Sequence, residues 1–142
     1  RVPWVTLVSL QKGPGSEQLG QVDFPVLELE GLDEDAGPFV DTAAVLRCLD
    51  LVVTTDTAVP HLAGALGVPC WLALPAVPDW RWLLGRDDSP WYPTLRLFRQ
   101  QRPGDWDDVF DRLARELQAW AERAPGPAPG AAYASGGAEG GA

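Results

Sequence analysis

The sequence predicts an α/β fold, an open and mostly parallel sheet of about five strands with flanking helices. Three observations predict it. Short apolar or β-branched runs alternate with helical patterns along most of the chain, the βαβα signature of a parallel sheet. Several of those runs lack clean period-two alternation, as strands covered on both faces do. A length of 142 residues is the size of one domain.

The strand candidates are Trp4 to Leu10 (WVTLVSL), Pro25 to Leu29 (PVLEL), Leu51 to Thr55 (LVVTT), Cys70 to Leu74 (CWLAL) and Leu95 to Phe98 (LRLF), each bounded by Gly, Pro or Asp. Between them lie helical candidates at Ser16 to Val22, Phe39 to Leu49 and Thr57 to Leu66, and a last one at Trp106 to Arg123. In the last, Trp106, Val109, Phe110, Leu113, Leu117 and Trp120 recur at three- and four-residue spacing opposite a charged face, which predicts a docked amphipathic helix. Right-handed crossovers then give a Rossmann-like sheet, most simply in strand order 2-1-3-4-5. Residues 1–123 form this domain. From Ala124 onward, 16 of 19 residues are Ala, Gly or Pro, and such a stretch cannot offset its ordering entropy, so 124–142 is expected to be a disordered tail. The absence of methionine and the Arg at position 1 lead to the expectation that the chain is a piece of a longer protein.

Charge and composition exclude some functions. Eleven Lys and Arg stand against 20 Asp and Glu, a net charge of −9, which disfavours nucleic acid and anionic membrane surfaces as partners. No apolar run reaches the ~18 to 20 residues of a membrane span, and no charged-then-apolar leader opens the chain. Cys48 and Cys70 have neither CxxC nor metal-ligand spacing and are expected to be small buried hydrophobes rather than a disulfide, which suits a cytoplasmic setting.

In an open parallel sheet, ligands bind beyond the carboxyl ends of the strands, where neighbouring connections leave toward opposite faces. Three loops belong to that edge: Leu10 to Gly15 after the first strand, Thr54 to His61 after the third and Pro75 to Trp82 after the fourth. In the second, Asp56 or Thr57 is an N-cap candidate, Pro60 falls in the first helical turn, and Gly67 followed by Pro69 stops the helix. Free N–H groups and a positive dipole end would then face the edge and favour an anion by ~0.3 to 1 kcal/mol from the dipole alone. The bland alternative is that Thr57 only caps a structural helix. Ala63, Gly64 and Ala65 are small enough to let that helix approach the sheet. His61 is the sole histidine; packing or exposure is the commoner fate of such a residue, but its first-turn position also suits phosphate. Without a second His or a nearby Cys, no metal site is expected. Lys12 is the sole lysine; it is either merely solvated or, with Gly13 and Gly15 beside it, a phosphate contact.

Other site types find little support. QKGPGS lacks the ending of a phosphate-binding P-loop, and GPG is not a dinucleotide fingerprint. Asp33, Glu34 and Asp35 read as a solvated run. Trp80, Trp82, Trp91 and Tyr92 either cover the sheet edge or stack on a base or sugar.

The stretch Leu51 to Leu74, LVVTTDTAVPHLAGALGVPCWLAL, resembles the second half of bacterial glycosyltransferase family 9, the heptosyltransferase group, with its D[ST]GxxHLAxALGxP pattern. Together with SLQKG at Ser9 to Gly13 and PDWRWLL at Pro78 to Leu84, it more closely resembles the C-terminal region of bacterial tetratricopeptide-repeat proteins related to O-GlcNAc transferase. The resemblance covers about Trp4 to Ala121. It implies the C-terminal, donor-binding half of a GT-B fold, in a longer chain that also holds an acceptor half with the general base, and tetratricopeptide repeats upstream. It implies that Gln11, Lys12, Asp56, Thr57, Ala58 and His61 bind the diphosphate of a nucleotide-sugar donor without a metal or other cofactor. Asp79 and Trp80 would contact sugar or base, and no catalytic residue is identified. Two departures are Ala58, where the family commonly has Gly, and one βα unit fewer between the first two strands. A sugar-nucleotide epimerase or a degenerate scaffold module are the alternatives.

Overall fold

The computed structural model describes residues 2–123, so the expected tail at 124–142 lies outside the described residues. The fold is α/β. Its strands are β1 (Leu7–Ser9), β2 (Val26–Glu28), β3 (Val52–Thr55), β4 (Cys70–Leu74) and β5 (Leu95–Arg99). Its α-helices are α1 (Val40–Leu46), α2 (Val59–Leu66) and α3 (Trp106–Arg123); the helix expected at Ser16 to Val22 is a 3-10 helix, Ser16–Gln21, between β1 and β2, and a 3-10 turn at Trp80–Trp82 lies between β4 and β5. β4 and α3 match the expected ranges residue for residue. The first strand is much shorter than expected, because the chain turns at Trp4, whose φ is 66° and whose side chain is exposed.

All strand ladders among the described residues are parallel, beside one isolated antiparallel bridge between Asp88 and Arg96, but the expected order 2-1-3-4-5 is realised as two pieces, 2-1 and 3-4-5. No ladder joins β1 to β3. Side chains span that join instead, and Leu10, Leu49 and Val59 from its two sides pack against the core of the larger sheet.

The core lies on both faces of β4, where all five residues are buried. On one face Leu72, Leu74, Leu95 and Leu97 pack with Leu46 of α1, Ala63 of α2 and Trp82. On the other, Trp71, Ala73 and Phe98 pack with Val109 and Leu113 of α3. Burial on both faces therefore holds for β4, while β1 and β2 are half-buried and Val53 of β3 stays exposed, because the buried stripe of α3 rests on β4 and β5. The stripe of α3 is also narrower than its periodicity suggests. Trp106 and Phe110 are exposed and pack on each other, with ring centroids 6.2 Å apart.

Cys70 is buried in β4, and burial pushes its thiol up to about 12; Cys48 corrects the expectation, since it lies just past α1 and is exposed. Both are free. A thiol reagent at neutral pH is expected to modify one cysteine of the native chain promptly and the second only on unfolding, because only the thiolate reacts. Two equally fast sites would contradict this packing.

Asp105 caps α3: its Oδ1 accepts the N–H of Asp108 at 3.3 Å and its Oδ2 holds Arg102 at 2.6 Å. The Asp108 N–H, then the Arg102 guanidinium, keep its carboxyl below the ordinary value. A carboxylate lowered on folding contributes stability that is fully present above its unfolded value of 3.8 and is lost as pH falls through the lower folded value. Glu116 beside Arg96 behaves alike. The urea midpoint is expected to fall below about pH 4, and Asp105→Asn to lessen that slope. An unchanged slope would remove Asp105 from the account.

Candidate functional site

The β3 to α2 connection forms as its sequence suggests, with a shifted start. Val59 opens the helix with Ala58 at its N-cap, so neither Asp56 nor Thr57 caps it as expected; the Thr57 hydroxyl only accepts the Val59 N–H, at 3.3 Å, from the turn before it. Pro60, buried in the first turn, has no N–H to leave unsatisfied. The donors left at this end, among the described residues, are the N–H groups of Ala58 and His61. At the other end Gly67, with φ 72°, takes the left-handed position of a Schellman cap: its N–H reaches Gly64 O at 3.2 Å, and that of Val68 reaches Ala63 O at 2.9 Å.

A cleft of about 280 Å³ occupies the unpaired seam between β1 and β3, lined among others by Ser9, Leu10, Gln11, Val53, Thr54 and Val59. Thr54 and Val59 line it, whereas Asp56, Thr57 and Ala58 between them are exposed and are not among its lining residues. Gln11 reaches the cleft, with its side-chain amide donating to Pro14 O at 2.9 Å. Positive φ at Gly13 and Gly15 folds this loop back. Lys12 is exposed, but its ammonium donates to the carbonyl of Leu32 and makes no hydrogen bond to residues 56–61. Thus the cleft brings Gln11 together with Thr54 and Val59 but not with Asp56, Thr57, Ala58 or His61, and Lys12 is drawn toward the loop after β2.

That loop corrects the reading of Asp33 as solvated. Asp33 accepts the hydroxyl and, at 3.0 Å, the N–H of Thr42, while its own N–H donates to Asp41 at 2.9 Å. It ties the loop to the first turn of α1, and the Thr42 hydroxyl foremost holds its carboxyl below the usual range.

On the far side of α2 the aromatic residues divide. Trp82 is fully buried and stacks on His61, centroids 5.1 Å apart and planes 27° apart. Tyr92 meets the same ring edge-on, its hydroxyl 3.1 Å from His61 Nδ1. Trp80 and Trp91 remain exposed, the latter donating its Nε1–H to Arg81 O at 2.9 Å. Asp79 caps the Trp80–Trp82 turn, accepting the Arg81 N–H at 3.0 Å and its guanidinium at 2.7 Å. The Arg81 N–H is the main reason its carboxyl lies below the usual value. Asp79 is therefore already engaged, while Trp80 projects freely, with Arg81 5.3 Å over its ring.

Sequence reasoning missed two residues here. A β-carbon on Gly64 would come 2.4 Å from Tyr92 Cγ, so the tyrosine requires this glycine. The expectation that Ala63, Gly64 and Ala65 together admit the sheet is thereby corrected: Ala63 alone of the three is fully buried, Gly64 receives Tyr92 and Ala65 is exposed. Arg99, at the carboxyl end of β5, donates to Trp82 O at 3.0 Å, and burial lowers its pKa. The signal was a charge closing the apolar run LRLFR. A second concavity of about 210 Å³ beside α3 contains Arg96 and Arg112, but Glu116 and Asp108 pair with them at 2.7 and 2.8 Å. Among the described residues no group of three or more His, Cys, Asp or Glu is placed to hold a metal.

The fold is an α/β domain of parallel strands with a cleft in the seam between β1 and β3. Compared with known proteins, the chain is 32% identical to Protein FlbA of Caulobacter vibrioides over 123 residues, 84% of its own length. It spans about a fifth of that protein, 20%. No protein-family model matches the chain. No solved structure matches it. No helix among the described residues is long and apolar enough to cross a membrane.

Proposed function

We propose that the chain is the donor-binding half of a GT-B glycosyltransferase, taking a sugar from a nucleoside diphosphate sugar within a longer, cytoplasmic protein. The observation that carries this reading is that DTxxxHLAxALGxP runs from the β3 to α2 connection through α2 to the turn into β4, with Val59 of this stretch lining the cleft beside Gln11. Two free N–H groups and the dipole of α2 suit a diphosphate there. An anion competes for Lys12 by offering the ammonium a charged acceptor in place of the neutral Leu32 carbonyl. The acceptor half supplies the general base, so the chain alone has no turnover. Epimerisation is disfavoured because Asp79, one of two carboxylates on this edge, is held by Arg81.

Calorimetric titration with UDP, ADP and GDP tests the reading. One of them is expected to bind, and Lys12→Ala to weaken it ~10- to 150-fold, the loss of one charge-assisted contact. Stability should fall by only about 1 kcal/mol, the worth of the exchanged Leu32 bond. Thr57→Ala should cost no more than a similar amount, through its lost hydrogen bond to the Val59 N–H. If the wild type binds none of the three, the scaffold reading takes its place.

A further inference from the structure

We infer that Tyr92 is a positioning residue for His61, fixing the ring in the tautomer that carries its proton on Nε2 and presenting that N–H at the ligand edge. The role assigned to the presented N–H rests on the donor-site reading; the tautomer itself does not.

Three contacts hold the imidazole. Trp82, fully buried, stacks on its face; Tyr92 packs against its edge; and the Tyr92 hydroxyl lies 3.1 Å from Nδ1. Tyr92 is itself seated, because its Cβ, Cγ and one ring carbon lie where a side chain at Gly64 would begin. His61 and Gly64 are three residues apart on α2 and so share a face. The tyrosine thus spans from its seat to the histidine one turn nearer the helix start.

Chemistry decides which partner donates across the 3.1 Å gap. A phenol is a strong donor and a weak acceptor, its lone pairs being drawn into the ring, whereas the unprotonated imidazole nitrogen is a strong acceptor. The favoured arrangement is therefore O–H of Tyr92 donating to Nδ1, which leaves the proton of the neutral ring on Nε2. Nε2 has no partner among the described residues and is not among the buried unpartnered atoms, so it faces solvent. Asp79, the nearby carboxylate, spends its Oδ1 on Arg81 rather than on the imidazole. A neutral His61 held this way offers a donor, the polarity an anionic ligand needs, without having to gain a proton. Held the other way, it would offer a lone pair to a phosphate oxygen and repel it.

Because His61 is the sole histidine, its two ring nitrogens are the only histidine signals in a long-range proton–nitrogen spectrum of the ¹⁵N-labelled chain. At about pH 8.5, where an ordinary imidazole is neutral, the expected spectrum has Nδ1 unprotonated and Nε2 protonated. Tyr92→Phe, which keeps the ring on Gly64 and removes only the hydroxyl, should move both signals toward the averaged positions of free histidine while the backbone spectrum stays folded. A proton on Nδ1 in the wild type, or signals unmoved by Tyr92→Phe, would overturn the assignment. In the nucleotide titration Tyr92→Phe should weaken binding about three- to tenfold and add nothing in a His61→Ala background. Losses that simply add would show that Tyr92 does not act through His61. Failure of all three nucleotides to bind the wild type would remove the donor-site reading and the role of the Nε2–H, with the tautomer still decided by the spectrum alone.

Discussion

Trp82→Ala is expected to destabilise the chain by about 3–5 kcal/mol, the range for truncating a buried large aromatic side chain. Trp82 is the largest side chain with no exposed surface, and it packs with Leu46, Leu72, Leu74, Leu95 and Leu97 in one buried cluster. Few side chains can swing in to fill the space, since the strand residues there are fixed by their ladder and Ala63 is too short. One gain offsets part of the loss: its Nε1 is buried without a partner, and deleting an unsatisfied donor recovers a desolvation cost of about 1–3 kcal/mol. The cavity and transfer terms lead because the indole buries far more apolar area than its one N–H makes polar. Urea unfolding with an unchanged slope would measure the loss, and a change under 1 kcal/mol would show that the site collapses or that water already occupies it. His61 loses its stacked face in the same variant, so its spectrum should broaden or shift.

Gly64→Val should be the next most damaging change, about 3 kcal/mol at the upper end of overpacking costs. Its β-carbon alone would stand 2.4, 2.5 and 2.8 Å from Cγ, Cδ1 and Cβ of Tyr92. These atoms are the root of the side chain and cannot move without the backbone at Tyr92. Two competing terms separate the variants. Replacing Gly by Ala in a helix interior stabilises by about 0.8–1 kcal/mol, so Gly64→Ala should lose only about 1–2 kcal/mol net. The valine gains less from propensity and brings two further methyl groups. A Gly64→Ala protein more stable than the wild type would mean that Tyr92 yields easily. Pairing each variant with Tyr92→Ala should restore most of the loss, which distinguishes the predicted clash from damage to α2 itself.

Much of the architecture was legible in the chain because its punctuation is local. CWLAL lies between Pro69 and Pro75, and both of its faces are apolar, so β4 had one reading. Gly67 and Pro69 set the end of α2 through a cap that involves six consecutive residues. The length of α3 followed from the three- and four-residue period of its apolar residues. The length of β1 was not legible, since WVTLVSL is interrupted only by Thr6 and Ser9, yet Trp4 takes a left-handed turn. Nor was the break between β1 and β3, because strand pairing depends on backbone approach across 40 and more residues of intervening chain rather than on either strand's composition. At the candidate site the place of Pro60 in the first turn was readable, whereas the cap expected at Asp56 or Thr57 is not formed, Ala58 taking that position. The tie from Lys12 to Leu32 and the Asp33 link to Thr42 join residues 20 and 9 positions apart and gave no sign in sequence.

By itself, then, the sequence determined an α/β chain with parallel strands and an acidic balance of −9, because helix caps, turns and periodicity act over a few residues. The tertiary structure alone decided which apolar side chains are covered, why Gly64 carries no side chain, and that His61 is held by Trp82 and Tyr92 rather than standing free. Those outcomes depend on steric fit between segments distant in the chain. A methyl group's displacement there changes close-packed contacts that no local pattern encodes.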